Sequence, residues 1–156
     1  MNGGHIMYKN SLVHCITKIM VDVLFYAGIL CLAAVPFLTR PIGAFLGLES
    51  GRLALFITVM LISGACSIYI LYQLRVIFRT LMGGNPFVDG NVTCLRKISV
   101  GCAMIGALYL VRSFFLFSVA AVVVFLVFLI GCLFCLTVKD VFKQAVSYKE
   151  ENDFTV

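Results

Sequence analysis

Four long runs of apolar residues, separated by short charged breaks, fill most of this 156-residue chain. The runs lie at residues 19–38, 53–74, 98–115 and 118–138. A helix of about 20 apolar residues crosses the hydrocarbon core of a bilayer, and three of the four runs reach that length. The pattern therefore predicts an all-α integral membrane four-helix bundle, built as one domain over residues 1–156.

The last two runs join into one apolar stretch, residues 98–138, whose middle holds the polar side chains Arg112, Ser113 and Ser118. As a single helix this stretch would be about 61 Å long, roughly twice the thickness of the hydrocarbon core. It must therefore fold back, and we predict a tight external hairpin at these polar residues. The alternative is a re-entrant hairpin, whose turn would have to be buried in protein or water.

The loop at residues 75–97 keeps helical periodicity beyond the second run. It begins as an amphipathic helix with one apolar and one basic face. Two glycines, Gly83 and Gly84, predict the end of that helix, and the next three residues predict a turn. Either Asp89 or Asn91 is suited to cap the helix that follows.

The tail at residues 139–156 also continues as an amphipathic helix. We expect its apolar face to fold against the loop at residues 75–97. Its acidic end complements that basic loop, although exposed ion pairs contribute only about 0 to 1 kcal/mol each. The apolar face consists of Val141, Phe142, Ala145 and Val146.

Composition and charge agree with a membrane protein and give it an orientation. The chain is 62% hydrophobic and 12% charged, whereas soluble domains carry about 25% charged residues. Nine basic residues lie on the side of both termini and the second loop, and three lie opposite. The positive-inside rule places both termini, the loop and the tail in the cytoplasm. Orientation and contact with the lipid bilayer explain the net charge of +5, so direct nucleic-acid binding is not predicted.

Small residues recur in the first three runs, where they would let helix backbones approach closely. Ordinary packing within the bundle explains them, and lining of a ligand groove is the alternative. They are Gly28, Ala33, Ala34, Ser63, Gly64, Ala65, Gly101, Gly106 and Ala107.

Two charged residues, Asp22 and Arg112, fall inside the apolar runs and are candidate functional residues for that reason. Asp22 lies one helical turn past Lys18, where it can instead form an ion pair with Lys18, Arg75 or Lys97. Arg112 can extend its side chain to the outer headgroups, or it can face inward and bind an anion. The two lie at different depths, so they are not expected to pair with each other.

No set of residues predicts catalysis, a cofactor or a metal site, and we do not expect an enzyme. Cys132 and Cys135 form the one C-x-x-C among seven cysteines. They lie close to the cytoplasmic Lys139, away from the oxidising compartment that a membrane thiol oxidoreductase needs, so we interpret the cysteines as buried packing residues. His5 and His14 do not complete a metal-ligand set.

Two motifs carry a resemblance to a known family. The first is Gly84-Asn85-Pro86-Phe87, followed by Asn91 and by Leu95-Arg96-Lys97-Ile98; the second runs from Val141-Phe142 to the ending Glu150-Glu151-Asn152-Asp153-Phe154-Thr155-Val156. Over essentially its whole length, the chain resembles the bacterial "domain of unknown function 2975" membrane family, which looks like a group of four-span proteins. Members have a similar Asn-Pro-Phe loop and an ending close to E-E-N-D-L-T-V, with leucine where this chain has Phe154.

The resemblance implies a protein of the bacterial cytoplasmic membrane without established activity, and it transfers no catalytic residue. Family members are often encoded beside a small helix-turn-helix regulator, which suggests a partner of that kind. Our first hypothesis is a non-enzymatic regulatory or partner-docking protein that acts through its cytoplasmic loop and tail. The alternative is a small exporter or immunity-type protein for a membrane-active compound, and self-association into a homo-oligomer is left open. The candidate docking residues are Asn85, Pro86, Phe87, Glu150, Glu151, Asn152 and Asp153.

Overall fold

In the computed structural model, the residues described are 12–46, 50–83, 87–115 and 117–153. They form four α-helices, and the described residues contain no strand. The predicted all-α fold is therefore confirmed. The helices are α1 (Leu12–Leu46), α2 (Ser50–Met82), α3 (Asp89–Phe115) and α4 (Val119–Asp153).

All four helices are long and apolar enough to cross a membrane, so the chain is a multi-pass membrane protein. Each helix is longer than the apolar run that predicted it. For example, α1 continues through Pro36 and Pro41 to Leu46, and prolines of this kind are tolerated in transmembrane helices. The apolar stretch at residues 98–138 is interrupted between Phe115 and Val119, at the site predicted for the hairpin.

The helices pack in the order of the chain, with α1 on α2, α2 on α3, and α3 on α4. Within the described ranges, the backbone of α1 does not approach that of α3 or α4, and α2 does not approach α4. The two central helices therefore separate the two outer ones. Most of the buried residues lie on α3, including Ile105, which is 1% exposed.

The outer surface of this arrangement is apolar. Phe37 on α1 is 84% exposed and Phe134 on α4 is 67% exposed. Lipid tails solvate such side chains well, because the tails are equally apolar. Lipid therefore provides little drive for helix association, and specific contacts between the helices must supply it.

Glycines provide two of these contacts, as the small-residue pattern predicted. A Cβ atom placed on Gly64 of α2 would lie 2.7 Å from Leu32 Cδ1 of α1, and one placed on Gly101 of α3 would lie 2.8 Å from Ile70 Cγ1 of α2. Both distances are too short for carbon atoms, so a larger residue at either glycine would displace the side chain of Leu32 or Ile70. Three of the other small residues are exposed and do not fill this role: Ala33, Ala65 and Ala107.

A buried polar contact joins the end of α2 to the start of α3. The Thr80 hydroxyl donates to Asn91 Oδ1 at 2.7 Å, and Asn91 is 1% exposed. The sequence suggested either Asp89 or Asn91 as the helix cap. The helix begins at Asp89. Asn91 lies inside the first turn, and its side chain contacts Thr80 of α2 and does not cap the helix.

We predict that Thr80→Val destabilises the protein, because it removes the donor to a buried amide oxygen. Loss of such a bond typically lowers the free energy of unfolding by about 1 to 3 kcal/mol. Denaturation of the detergent-solubilised protein, followed by circular dichroism, measures the effect. Thr137→Val is the matched control, since Thr137 is exposed and donates to the Leu133 carbonyl of its own helix. An equal loss in both variants would contradict a stabilising contact between α2 and α3.

Candidate functional site

Most of the charged side chains lie at one end of the helices. The connections are short, so consecutive helices run in opposite directions, and the start of α1, the end of α2, the start of α3 and the end of α4 share one end. We call this the charged end. Its described basic residues are Lys18, Arg75, Arg79, Arg96, Lys97, Lys139, Lys143 and Lys149.

An ion pair connects α1 to α2 at the charged end. Arg75 Nε lies 2.5 Å from Asp22 Oδ1, and the two side chains are 28% and 31% exposed. Arg75 is one of the three basic partners that the sequence suggested for Asp22. Within the described residues α1 packs on α2 alone, so this pair joins α1 to the other helices through its neighbour α2.

Aromatic rings surround the arginine of this pair. The Arg75 Cζ atom lies 4.6 Å from the ring centroid of Phe25 and 5.1 Å from that of Tyr26. The Tyr72 ring lies 6.5 Å from the Phe25 ring. A guanidinium is attracted to the faces of such rings, so the cluster fixes the position of Arg75. Sequence reasoning missed it, although Asp22, Phe25 and Tyr26 have the spacing of one helix face.

Two grooves meet at Asp22. The first, of about 430 Å³, is polar and lies between α1 and α2. The second is a shallow, open apolar surface on one face of α1, with no other helix in its lining, and we call it the apolar groove. The polar groove is lined by Lys18, Asp22, Tyr72, Arg75, Val76 and Arg79. The apolar groove is lined by Ile19, Asp22, Val23, Tyr26, Ala27 and Leu30.

Arg112 lies in the last turn of α3, at the opposite end of the helices. Its Cζ atom lies 5.2 Å from the Phe56 ring and 5.9 Å from the Tyr109 ring. Its Nε atom is buried, and no hydrogen-bond partner for it exists among the described residues. The structure therefore separates Arg112 from Asp22, as expected, and packs it against aromatic rings of α2 and α3.

The tail packs against the loop at Phe87, as expected from the sequence. The Phe87 ring, just before α3, lies 5.5 Å from the Phe142 ring of α4, and Val146 is also buried. We call the Phe87–Phe142 contact the clasp. The tail is thus a direct extension of α4, and the clasp holds it against the start of α3.

Of the other candidate docking residues, the structure describes one side chain, that of Glu151. Glu151 is exposed on the last turns of α4. Asn85 and Pro86 lie outside the described residues, as do the side chains of Glu150, Asn152 and Asp153.

The cysteines give no sign of a reactive centre. All seven are free, and Cys94 and Cys102 are buried. Cys132 and Cys135 are half-buried, whereas Cys15 and Cys31 are exposed, so the prediction that the cysteines are buried was wrong for those two. In the described part of the chain, no three His, Cys, Asp or Glu side chains are grouped to hold a metal ion.

Comparison with known proteins identifies a family whose function is unknown. A family model described as "Protein of unknown function (DUF2975)" matches residues 21–156. No curated protein matches the chain, and no solved structure does.

We predict that Asp22→Asn and Arg75→Gln each lower Tm, by roughly 2 to 4 °C for a chain of this size. Each substitution leaves one charge of the pair without its partner. The double variant should lose less than the sum of the two single losses, since no lone charge remains. Thermal unfolding in one detergent measures all three variants.

The control for this cycle is the pair Lys139–Asp140, whose Nζ and Oδ1 atoms lie 3.0 Å apart and whose carboxylate is the more exposed partner. Lys139→Gln and Asp140→Asn should give additive and smaller changes, because Asp140 is 64% exposed. Additive losses at Asp22 and Arg75 would show that the pair does not stabilise the packing of α1.

Proposed function

The chain belongs to the DUF2975 family of proteins of unknown function, and from that premise we propose that it is a non-enzymatic protein of the bacterial cytoplasmic membrane that docks a soluble partner at its charged end. The partner class is the small helix-turn-helix regulator that the resemblance implies. In this proposal both termini and the charged end face the cytoplasm.

The distribution of basic residues supports this orientation. Of the 12 Lys and Arg residues, nine belong to the charged end or to the segment before α1, and three lie at the opposite end. Basic residues near the ends of transmembrane helices favour the cytoplasmic side. A cytoplasmic partner would therefore meet the charged end.

Helix α4 extends well beyond the membrane on this side. It has 35 residues, which corresponds to about 52 Å, whereas the hydrocarbon core is about 30 Å thick. Its apolar run ends at Val138, and the residues that follow are mixed and charged. About four turns of helix, residues 139–153, are thus available outside the hydrocarbon.

The observation that carries the proposal is an apolar surface on this projecting part of α4. Val141 is 59% exposed and Tyr148 is 67% exposed, and their spacing of seven residues places them on one helix face. Exposed polar side chains border this face: Gln144 is three residues after Val141 and four before Tyr148, and Lys149 follows Tyr148. Apolar side chains inside a bilayer contact lipid, but beyond it an exposed apolar face with a polar rim is typical of an interaction site.

The clasp supports docking at this face because it holds the tail helix in a fixed position before a partner binds. Phe142 and Val146 point inward, with Phe142 against Phe87, while Val141 and Tyr148 point outward. A partner would not have to order the tail, which lowers the entropic cost of association. We therefore propose the outward face of α4 as the main contact, and assign Phe87 to holding the tail.

We predict that a photoreactive benzoylphenylalanine in place of Tyr148 captures a soluble protein in native membranes. The same amino acid in place of Phe142 should crosslink mainly within the chain, because that position faces the loop. Mass spectrometry identifies the products, and recovery of a small DNA-binding protein at position 148 alone is the expected result.

Val141→Asp should reduce capture from position 148 at least tenfold by placing a charge on the apolar face. Ser147→Asp adds the same charge at an exposed position on another side of the helix and should leave capture nearly unchanged. If position 148 captures nothing beyond lipid and its own chain, the docking proposal fails.

The second candidate is the small exporter or immunity-type protein for a membrane-active compound. The pair of grooves that meet at Asp22 favours it, since one is polar and the other apolar. The ion pair with Arg75 argues against a carboxylate that is free to exchange protons during transport. The structural role of Asp22 is therefore the better supported one.

We accordingly predict that Asp22→Asn leaves resistance to toxic cations and peptides unchanged when protein levels are matched. Growth inhibition across a broad panel of such compounds measures it, with the exposed Asp140→Asn as control. Loss of resistance in Asp22→Asn alone would favour export over docking.

A further inference from the structure

The polar groove between α1 and α2 carries an excess of positive charge. Its lining contains three basic side chains and one carboxylate, which leaves a net charge of +2. Arg75 is committed to Asp22. Lys18 and Arg79, by contrast, form no ion pair within the described ranges of the chain, so two cations face the groove without a carboxylate.

A phosphate group matches this chemistry. Lys and Arg are the usual ligands for the oxygens of a phosphate, and the Tyr72 hydroxyl adds a neutral donor to the same groove. Basic pockets between transmembrane helices bind anionic lipid headgroups for this reason. The positive charge disfavours a cationic ligand, and Arg75 already occupies the aromatic cluster that would attract one.

The apolar groove indicates that the phosphate is attached to an acyl chain. It begins at Ile19, beside the polar groove, and follows α1 to Leu30, a distance of about 16 Å along the helix axis. This direction leads from the charged end into the hydrocarbon. A free phosphate would use only the polar groove, whereas a phospholipid would fill both, with its headgroup near Lys18 and Arg79 and an acyl chain along α1.

We infer that the two grooves form one binding site for an anionic phospholipid. Lys18 and Arg79 hold the phosphate, Asp22 and Arg75 join the two helices at the junction of the grooves, and Ala27 and Leu30 contact the acyl chain. The lipid bridges α1 and α2, the two helices joined by the ion pair. It is thus a specific ligand, in contrast to the bulk lipid around the other helices.

The test is native mass spectrometry of the full-length protein with phosphatidylglycerol and, separately, phosphatidylcholine of identical chains. We expect one molecule of phosphatidylglycerol to bind at least tenfold more tightly. Lys18→Gln with Arg79→Gln should remove most of that preference, since each basic side chain contributes roughly fivefold near an anionic lipid.

The matched control is Arg96→Gln with Lys97→Gln, which removes the same two charges from the charged end outside the groove. This double variant should keep the preference for phosphatidylglycerol. Equal losses in the two double variants would overturn the site, because they would show general attraction to a basic surface. Equal helix content by circular dichroism ensures that folded proteins are compared.

A second variant tests the acyl chain. Ala27→Trp fills the apolar groove and should weaken long-chain phosphatidylglycerol at least fivefold without weakening the dihexanoyl form. Ala33→Trp, at an exposed site on α1 outside the groove, should change neither. If inorganic phosphate displaces the long-chain lipid at equal concentration, the site belongs to free phosphate and the lipid proposal is wrong.

Discussion

The hydrocarbon core of a bilayer cannot hydrogen-bond to the peptide backbone, and this constraint underlies the rest of the structure. Every backbone N–H and C=O group within the core must find its partner inside the protein, which a continuous helix achieves. The four helices are accordingly long, from 27 to 35 residues, and the connections are confined to their ends. Charged side chains follow the same rule and collect where the helices leave the apolar medium.

Because lipid solvates apolar side chains as well as other helices do, burial alone does not select how the helices associate. The selection falls to a few specific contacts. Gly64 and Gly101 allow close approach, Thr80 bonds Asn91, and Asp22 pairs with Arg75. The last of these matters most for α1, which has α2 as its single neighbour among the described helices. The charged pair thus adds to the packing of α1 on α2 at the charged end.

The same end of the molecule combines two kinds of surface, for which we propose different occupants. Between α1 and α2, a positive groove continues into an apolar one, as an amphiphile requires. On α4, the clasp fixes a helix that projects beyond the hydrocarbon and presents Val141 and Tyr148 outward. The first surface lies at headgroup depth and suits a lipid, while the second lies beyond it and suits a soluble protein. Neither occupant would exclude the other, since different helices carry the two sites.

The sequence by itself determined the helices, because the bilayer leaves a strong local signal in the form of long apolar runs that end in charges. It also identified the hairpin near Phe115, the extension of α4 and the motifs that point to the family. Only the tertiary structure decided which side chains meet. Asp22 pairs with Arg75 and not with Lys18 or Lys97. Asn91 accepts a buried hydrogen bond from Thr80 and does not cap the helix. The Phe87 ring packs on the Phe142 ring. Helical periodicity assigns a residue to a face and a depth, but the rotation of each helix and its choice of neighbour depend on contacts between segments distant in the chain, which no local pattern records.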